Sequence, residues 1–106
     1  MDDDIAISSA TLTNALGLHA RPSVKLTRLA KTFASHIEIT AGPEGQWIDA
    51  KSIVKVMALK AAKGVILRFR AKGPDRNEAL AALKELVASG FAEDEGFSEQ
   101  PEPLNG

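Results

Sequence analysis

Asn14-Ala15-Leu16-Gly17-Leu18-His19-Ala20-Arg21-Pro22-Ser23 joins a strand-like run to a helical one, and the way it turns decides the fold. Gly17 permits a tight turn, and Pro22 is tolerated only in a helix's first turn, so the helix starts close to His19 or Ala20. The residue before a proline is biased away from helical angles, which puts Arg21 in a distorted first turn. Upstream, Ile5, Ile7, Ser9, Thr11 and Thr13 are expected on one face of a first strand, with Leu12 breaking the alternation. Downstream, Leu26, Leu29, Ala30 and Phe33 recur at helical spacing and define one apolar face.

Beyond that helix the chain alternates short elements. His36 to Thr40 puts Ile37 and Ile39 on one side, Gly42-Pro43-Glu44-Gly45 is a turn signal, and Gln46 to Asp49 completes a hairpin. Ser52 to Leu59 reads as a two-turn helix. Gly64 then opens a strand from Val65 to Ala71, in which Phe69 points inward between Arg68 and Arg70. Asp75 and Glu78 have the spacing of a capping box, and Leu80, Leu83, Leu86 and Val87 form the stripe of a helix that ends at Gly90. The expected order is β-α-β-β-α-β-α, and four short strands with three helices fit an α+β layer pair in which one sheet face buries the helices and the other meets solvent.

The 106 residues suit one domain, with 13 basic and 14 acidic residues, two His and no Cys. Lacking Cys, the chain has no disulfide framework and no thiolate nucleophile, and two His offer too few ligands for a metal site. No cofactor and no metal are expected. The start Met1-Asp2-Asp3-Asp4 lacks the basic residues of a signal peptide, and the apolar runs are short, so a cytoplasmic protein without membrane insertion is expected. The net charge of −1 conceals segregation: Ile5 to Phe91 holds all 13 bases and six acids, a body of +7. The other eight acids are Asp2, Asp3, Asp4, Glu93, Asp94, Glu95, Glu99 and Glu102. The expected division is a domain over 1–91 and an acidic tail over 92–106 with the composition of disorder, a candidate electrostatic screen for the basic body.

A helix start exposes N–H groups and the positive end of the macrodipole, and both favour an anion. Neutral imidazole at that place is a nucleophile, and the N–H groups of Ala20 and Arg21, with the Arg21 guanidinium, could hold the oxygens of a phosphoryl group received by His19. Few donors make a loose grip, which suits a carrier better than a terminal enzyme. His36 lacks this setting and reads as structural. In the second helix, Ile53, Val54 and Met57 cannot all be buried if Val56 and Leu59 are. Exposed, and ringed by Lys51, Lys55, Arg28 and Lys25, they would form a docking patch for acidic partners.

Gly17-Leu18-His19-Ala20-Arg21-Pro22 resembles the active-site signature of the HPr family, the histidine-containing phosphocarriers of the bacterial phosphoenolpyruvate-dependent phosphotransferase system. Lys51-Ser52-Ile53-Val54-Lys55-Val56-Met57-Ala58-Leu59 resembles the family's second signature, around its regulatory serine and docking helix. The pair lies in the family's order, and the resemblance covers about Ile5 to Gly90. It implies an open-faced β-sandwich, an HPr-like α+β fold of four antiparallel strands with three helices on one face, in which His19 takes a phosphoryl group on Nδ1 from phosphorylated enzyme I and passes it to a histidine of an enzyme IIA component, with Arg21 steadying it. Ser52 matches the serine that an HPr kinase/phosphorylase modifies in many bacteria. Its plain alternative is a helix cap. The family pattern differs at Ser23, where most members have Ala, at a longer hairpin tip from Ala41 to Gln46, and in the acidic segment.

The expected protein is therefore a monomeric carrier and not an enzyme in the usual sense. A nitrogen-type member of the same family, ending in regulation instead of sugar uptake, would share all of this chemistry. A nucleic-acid-binding module would need exposed aromatics on a sheet, and only Phe33, Trp47, Phe69, Phe91 and Phe97 are available, so no nucleic-acid partner is expected.

Overall fold

A computed structural model describes residues 4–91, and the acidic segment 92–106 with its expected domain boundary lies outside the described residues. The elements are β1 (Ala6–Thr11), α1 (Ala20–Lys31), β2 (His36–Ala41), β3 (Ile48–Asp49), α2 (Ile53–Ala58), β4 (Ile66–Lys72) and α3 (Arg76–Ala88). One sheet has the order β1-β4-β2-β3, with every neighbouring pair antiparallel. β4 thus separates β1 from β2, and β2 separates β3 from β4, giving two interlocked split β-α-β units. The expected order and architecture hold.

The core lies between the sheet and the helices. Leu67, Phe69 and Ala71 of β4 and Ile37 and Ile39 of β2 meet Leu26 and Ala30 of α1, Val56 of α2, and Leu80, Leu83 and Val87 of α3, all essentially inaccessible to solvent. Each of the Leu, Ile, Val and Phe side chains contributes roughly 1.5–3 kcal/mol through removal of apolar surface from water.

In strand β1 the residues expected on one face do share it, and that face is the outer one. Ile5 and Ile7 are exposed, and Ala6, Ser8, Ala10 and the fully buried Leu12 form the inner face. The reason is packing: α3 lies across β1, and small inward residues let a helix approach a strand closely. The residue that broke the alternation, Leu12, is the one that sets the register. One difference is β3, which shrinks from four residues to Ile48–Asp49.

The end of α3 follows its sequence signal. Gly90 has φ +67°, its N–H bonds the Val87 carbonyl at 2.9 Å, and the Phe91 N–H bonds the Leu86 carbonyl at 3.1 Å, a Schellman motif. Its start does not. Asp75 occupies the N-cap position, but its side chain makes no cap bond, so the expected capping box is absent. Its carboxylate instead accepts the Ala34 and Ser35 N–H groups, each at 2.9 Å, and the Ser35 hydroxyl at 2.5 Å. A carboxylate engaged by three donors from the segment after α1 is not turned back on its own helix.

Candidate phosphoryl-acceptor site

The loop between β1 and α1 is fixed by its own polar groups. Buried Asn14 donates from Nδ2 to the Gly17 carbonyl at 2.6 Å, while the Gly17 N–H returns to the Asn14 carbonyl at 3.0 Å. Gly17 has φ +70°, and a Cβ placed there would lie 2.4 Å from the Ala61 carbonyl oxygen, so both conformation and space require glycine. The Leu18 N–H bonds that same Ala61 carbonyl at 2.9 Å, tying the loop to the segment after α2. Buried Ser23 donates its hydroxyl to the Leu18 carbonyl at 3.2 Å. In the sequence Ser23 stands out only as a departure from the family's Ala, and Asn14 only as the first residue of the turn. An Asn at the start of a Gly-containing turn was the available signal for the latter.

This scaffold presents His19 at the N-cap of α1 in extended conformation, φ −83° and ψ −165°, with the side chain exposed and making no cap bond to the helix. Its carbonyl accepts the Ser23 N–H at 3.0 Å, and Pro22 has no N–H, so Ala20 and Arg21 supply the outward donors of the first turn. No acidic residue lies in that turn to offset the positive helix end. Arg21 is exposed and, like Lys25, is engaged in interactions within the molecule. The exposed His19 ring therefore lies at the start of α1, where an anion is electrostatically favoured, with Ala20 and Arg21 forming the first turn.

In α2, Val54 is 74% and Met57 40% exposed, while Val56 is fully buried and Ile53 is half-buried. The Ser52 Oγ accepts the Lys55 N–H at 3.3 Å, making Ser52 the cap of α2. The Lys51 ammonium donates to the Phe33 carbonyl at 2.9 Å, just past the C-terminal end of α1, and the residue following α2 that holds Leu18 is Ala61. The two helices thus lie side by side in opposite senses. Val54, Lys55 and Met57 are exposed on α2 and Arg28 on α1, whereas Lys51 serves as a strut between elements and Ser52 sits toward the end remote from His19. His36 is exposed, its Nε2 3.6 Å from Glu38 Oε2.

A small open-faced sandwich that carries an exposed imidazole at a helix start belongs to the class of surface-acting phosphoryl carriers. The family model described as "PTS HPr component phosphorylation site" matches residues 8–89, and the chain belongs to the HPr family of phosphocarriers of the phosphotransferase system. It is 46% identical over 85 residues to the phosphocarrier protein HPr of Cupriavidus necator, covering 80% of this chain and 93% of that protein. It is 41% identical over 83 residues to the phosphocarrier protein NPr of Escherichia coli K12, covering 78% and 91%. The crystal structure of HPr-C-His from Thermoanaerobacter tengcongensis superposes with a TM-score of 0.76 at 32% identity, covering 82% of this chain and 96% of that one. Among the described residues no helix is long and apolar enough to cross a membrane, and no group of three potential ligands gathers as a metal site.

Proposed function

We propose that His19 is the phosphoryl acceptor of this phosphocarrier. The observation that carries the reading is its exposed imidazole at the uncompensated positive end of α1. The Nδ1 lone pair attacks the phosphorus of phosphorylated enzyme I, a P–N bond to His19 forms, and the bond from phosphorus to its carrier atom on enzyme I breaks, returning the electron pair to that atom. The Ala20 and Arg21 N–H groups and the Arg21 guanidinium hold the phosphoryl oxygens. The group then passes by the same exchange to a histidine of an enzyme IIA component. The chain acts as a monomer in the cytoplasm, as a carrier with no turnover of its own. Val54, Met57, Ile53, Lys55, Arg28 and Lys25 form the partner-facing side, and Lys51, expected among them, braces α2 against the end of α1. Phosphorylation of Ser52 by an HPr kinase/phosphorylase would put charge on the cap of α2 and alter that side. The 46% identity to an HPr favours the sugar-transport branch as the principal reading, with the nitrogen-type branch second.

Incubation with enzyme I and labelled phosphoenolpyruvate should give one acid-labile phosphate that maps to His19. His19→Ala should take up no label while keeping its fold by circular dichroism. Label retained at the unsubstituted rate in that variant would refute the assignment.

A further inference from the structure

The sheet face opposite the helices has a chemistry that phosphoryl transfer does not use. Register places Arg68 beside Ser9 and Thr40, and Arg70 beside Ile7 and Glu38, on this open face. Trp47 covers both arginines, with the Arg70 guanidinium 4.3 Å and the Arg68 guanidinium 5.3 Å from its ring centre. Glu38 binds Arg70 at 2.6 Å. Arg68 has no carboxylate partner among the described residues; its Nη2 makes one long contact, 3.4 Å, to the Pro43 carbonyl. Ile7 and Ile66 stand exposed on the same face at 64% and 51%. A shallow, largely apolar groove runs from Gly42 and Pro43 to Gly64, Val65, Ile66 and Arg68. The surface is apolar, aromatic and cationic, and its complement is an acidic segment that carries apolar side chains.

The chain supplies such a segment. Residues 92–106 hold five acids, no base, Phe97 and Leu104, and lie beyond the part matched to the family. They follow directly on Phe91, and a Cβ on Gly90 would sit 3.1 Å from the Thr13 hydroxyl, so the last described residues lie against the end of β1. Thr13 is two residues past Thr11, which pairs with Ile66. From Thr13 to the level of Arg68 is about 13 Å along the sheet. From the buried Phe91 the chain has to round the edge strand β1 to gain the open face. The eight residues to Glu99 and eleven to Glu102, up to about 26 and 36 Å, are long enough to do so and to bring those carboxylates to Arg68, Arg70 and Lys72. Attachment at one end supplies an effective concentration in the millimolar range, so weak contacts suffice.

We propose that residues 92–106 dock in cis on the open sheet face, along the groove at Ile66 and Arg68 and beneath Trp47. The inference is independent of how His19 works.

Trp47 is the chain's single tryptophan and reports directly on this face. At low salt, acrylamide should quench its fluorescence about twofold more in a full chain carrying Glu93→Gln, Asp94→Asn, Glu95→Gln, Glu99→Gln and Glu102→Gln than in the natural chain, and high salt should remove the difference. Equal quenching at low salt would overturn the proposal. Because the chain has no Cys, a spin label on Ser98→Cys gives a second measure. Broadening of the Ile66 and Arg68 amides supports docking here, whereas broadening confined to His19, Ala20 and Arg21, or none in the body, overturns it. Broadening of an isotope-labelled, spin-free chain mixed with the spin-labelled one would reassign the contact to a second copy and equally overturn it.

Discussion

Gly17 governs where His19 points, although it touches no phosphate. Its φ of +70° costs an L-residue on the order of 1 kcal/mol or more, and the 2.4 Å approach of a Cβ to the Ala61 oxygen adds a clash with backbone that cannot swing aside. Gly17→Ala should destabilise the fold by roughly 1–3 kcal/mol and should also lower the rate of phosphoryl uptake under conditions where the protein remains folded. Thermal melts and single-turnover transfer from enzyme I measure the two effects. A loss of stability with an unchanged transfer rate would show that the loop holds His19 without the Leu18 to Ala61 bond. Much of this was legible beforehand. Gly17 and Pro22 bracket the helix start, and the N-cap falls on His19 as they require. What the sequence could not show is that Asn14 and Ser23 pin the loop, because each acts on a carbonyl whose position depends on the turn already being made.

At the scale of the element, α2 is a helix of six residues, too short to be stable alone, and it persists because Val56 is buried and Ser52 caps it. That leaves Val54 largely in water, at 74% exposure, and Met57 partly so, at 40%. Val54→Glu should leave the melting temperature nearly unchanged, since a group already in water loses little by becoming charged, and Met57→Glu should lower it only slightly. Both should lower kcat/KM for phosphorylation by enzyme I, on the order of tenfold for the pair, through the docking step. A fall in stability equal to that in transfer would mean that these side chains hold the helix instead. Periodicity exposed this conflict within α2 from sequence alone, because a two-turn helix has one inner face. In β1 the same kind of pattern groups Ile7, Ser9 and Thr11 on one face but leaves open which face is buried. Packing of α3 against the small residues Ala6, Ser8 and Ala10 decides that, and only the tertiary contact contains that information.

Over the whole molecule, the three helices share one face of the sheet, and little besides the core connects the end of α1 to the start of α3. Asp75 and Ser35 make that connection, forty residues apart in sequence: the Ser35 hydroxyl and two N–H groups donate to the carboxylate, and the Asp75 N–H donates back to Ser35 Oγ at 3.2 Å. The Ser35 side-chain bond, and then the Ala34 N–H, hold the Asp75 carboxyl below its ordinary value. In the unfolded chain the same group titrates near the usual aspartate value of about 3.9. Between the two values the unfolded chain binds more protons, so this connection stabilises the fold fully above about pH 4 and is lost as the pH falls through the lower, folded value. Asp75→Asn has no proton to take up. Its melting temperature should lie below that of the natural protein near neutral pH, and the gap should narrow as the pH drops below about 4. Thermal melts followed by far-ultraviolet circular dichroism across that range measure the gap directly. A gap of constant size would mean that the carboxylate's charge adds nothing beyond the shape of its hydrogen bonds.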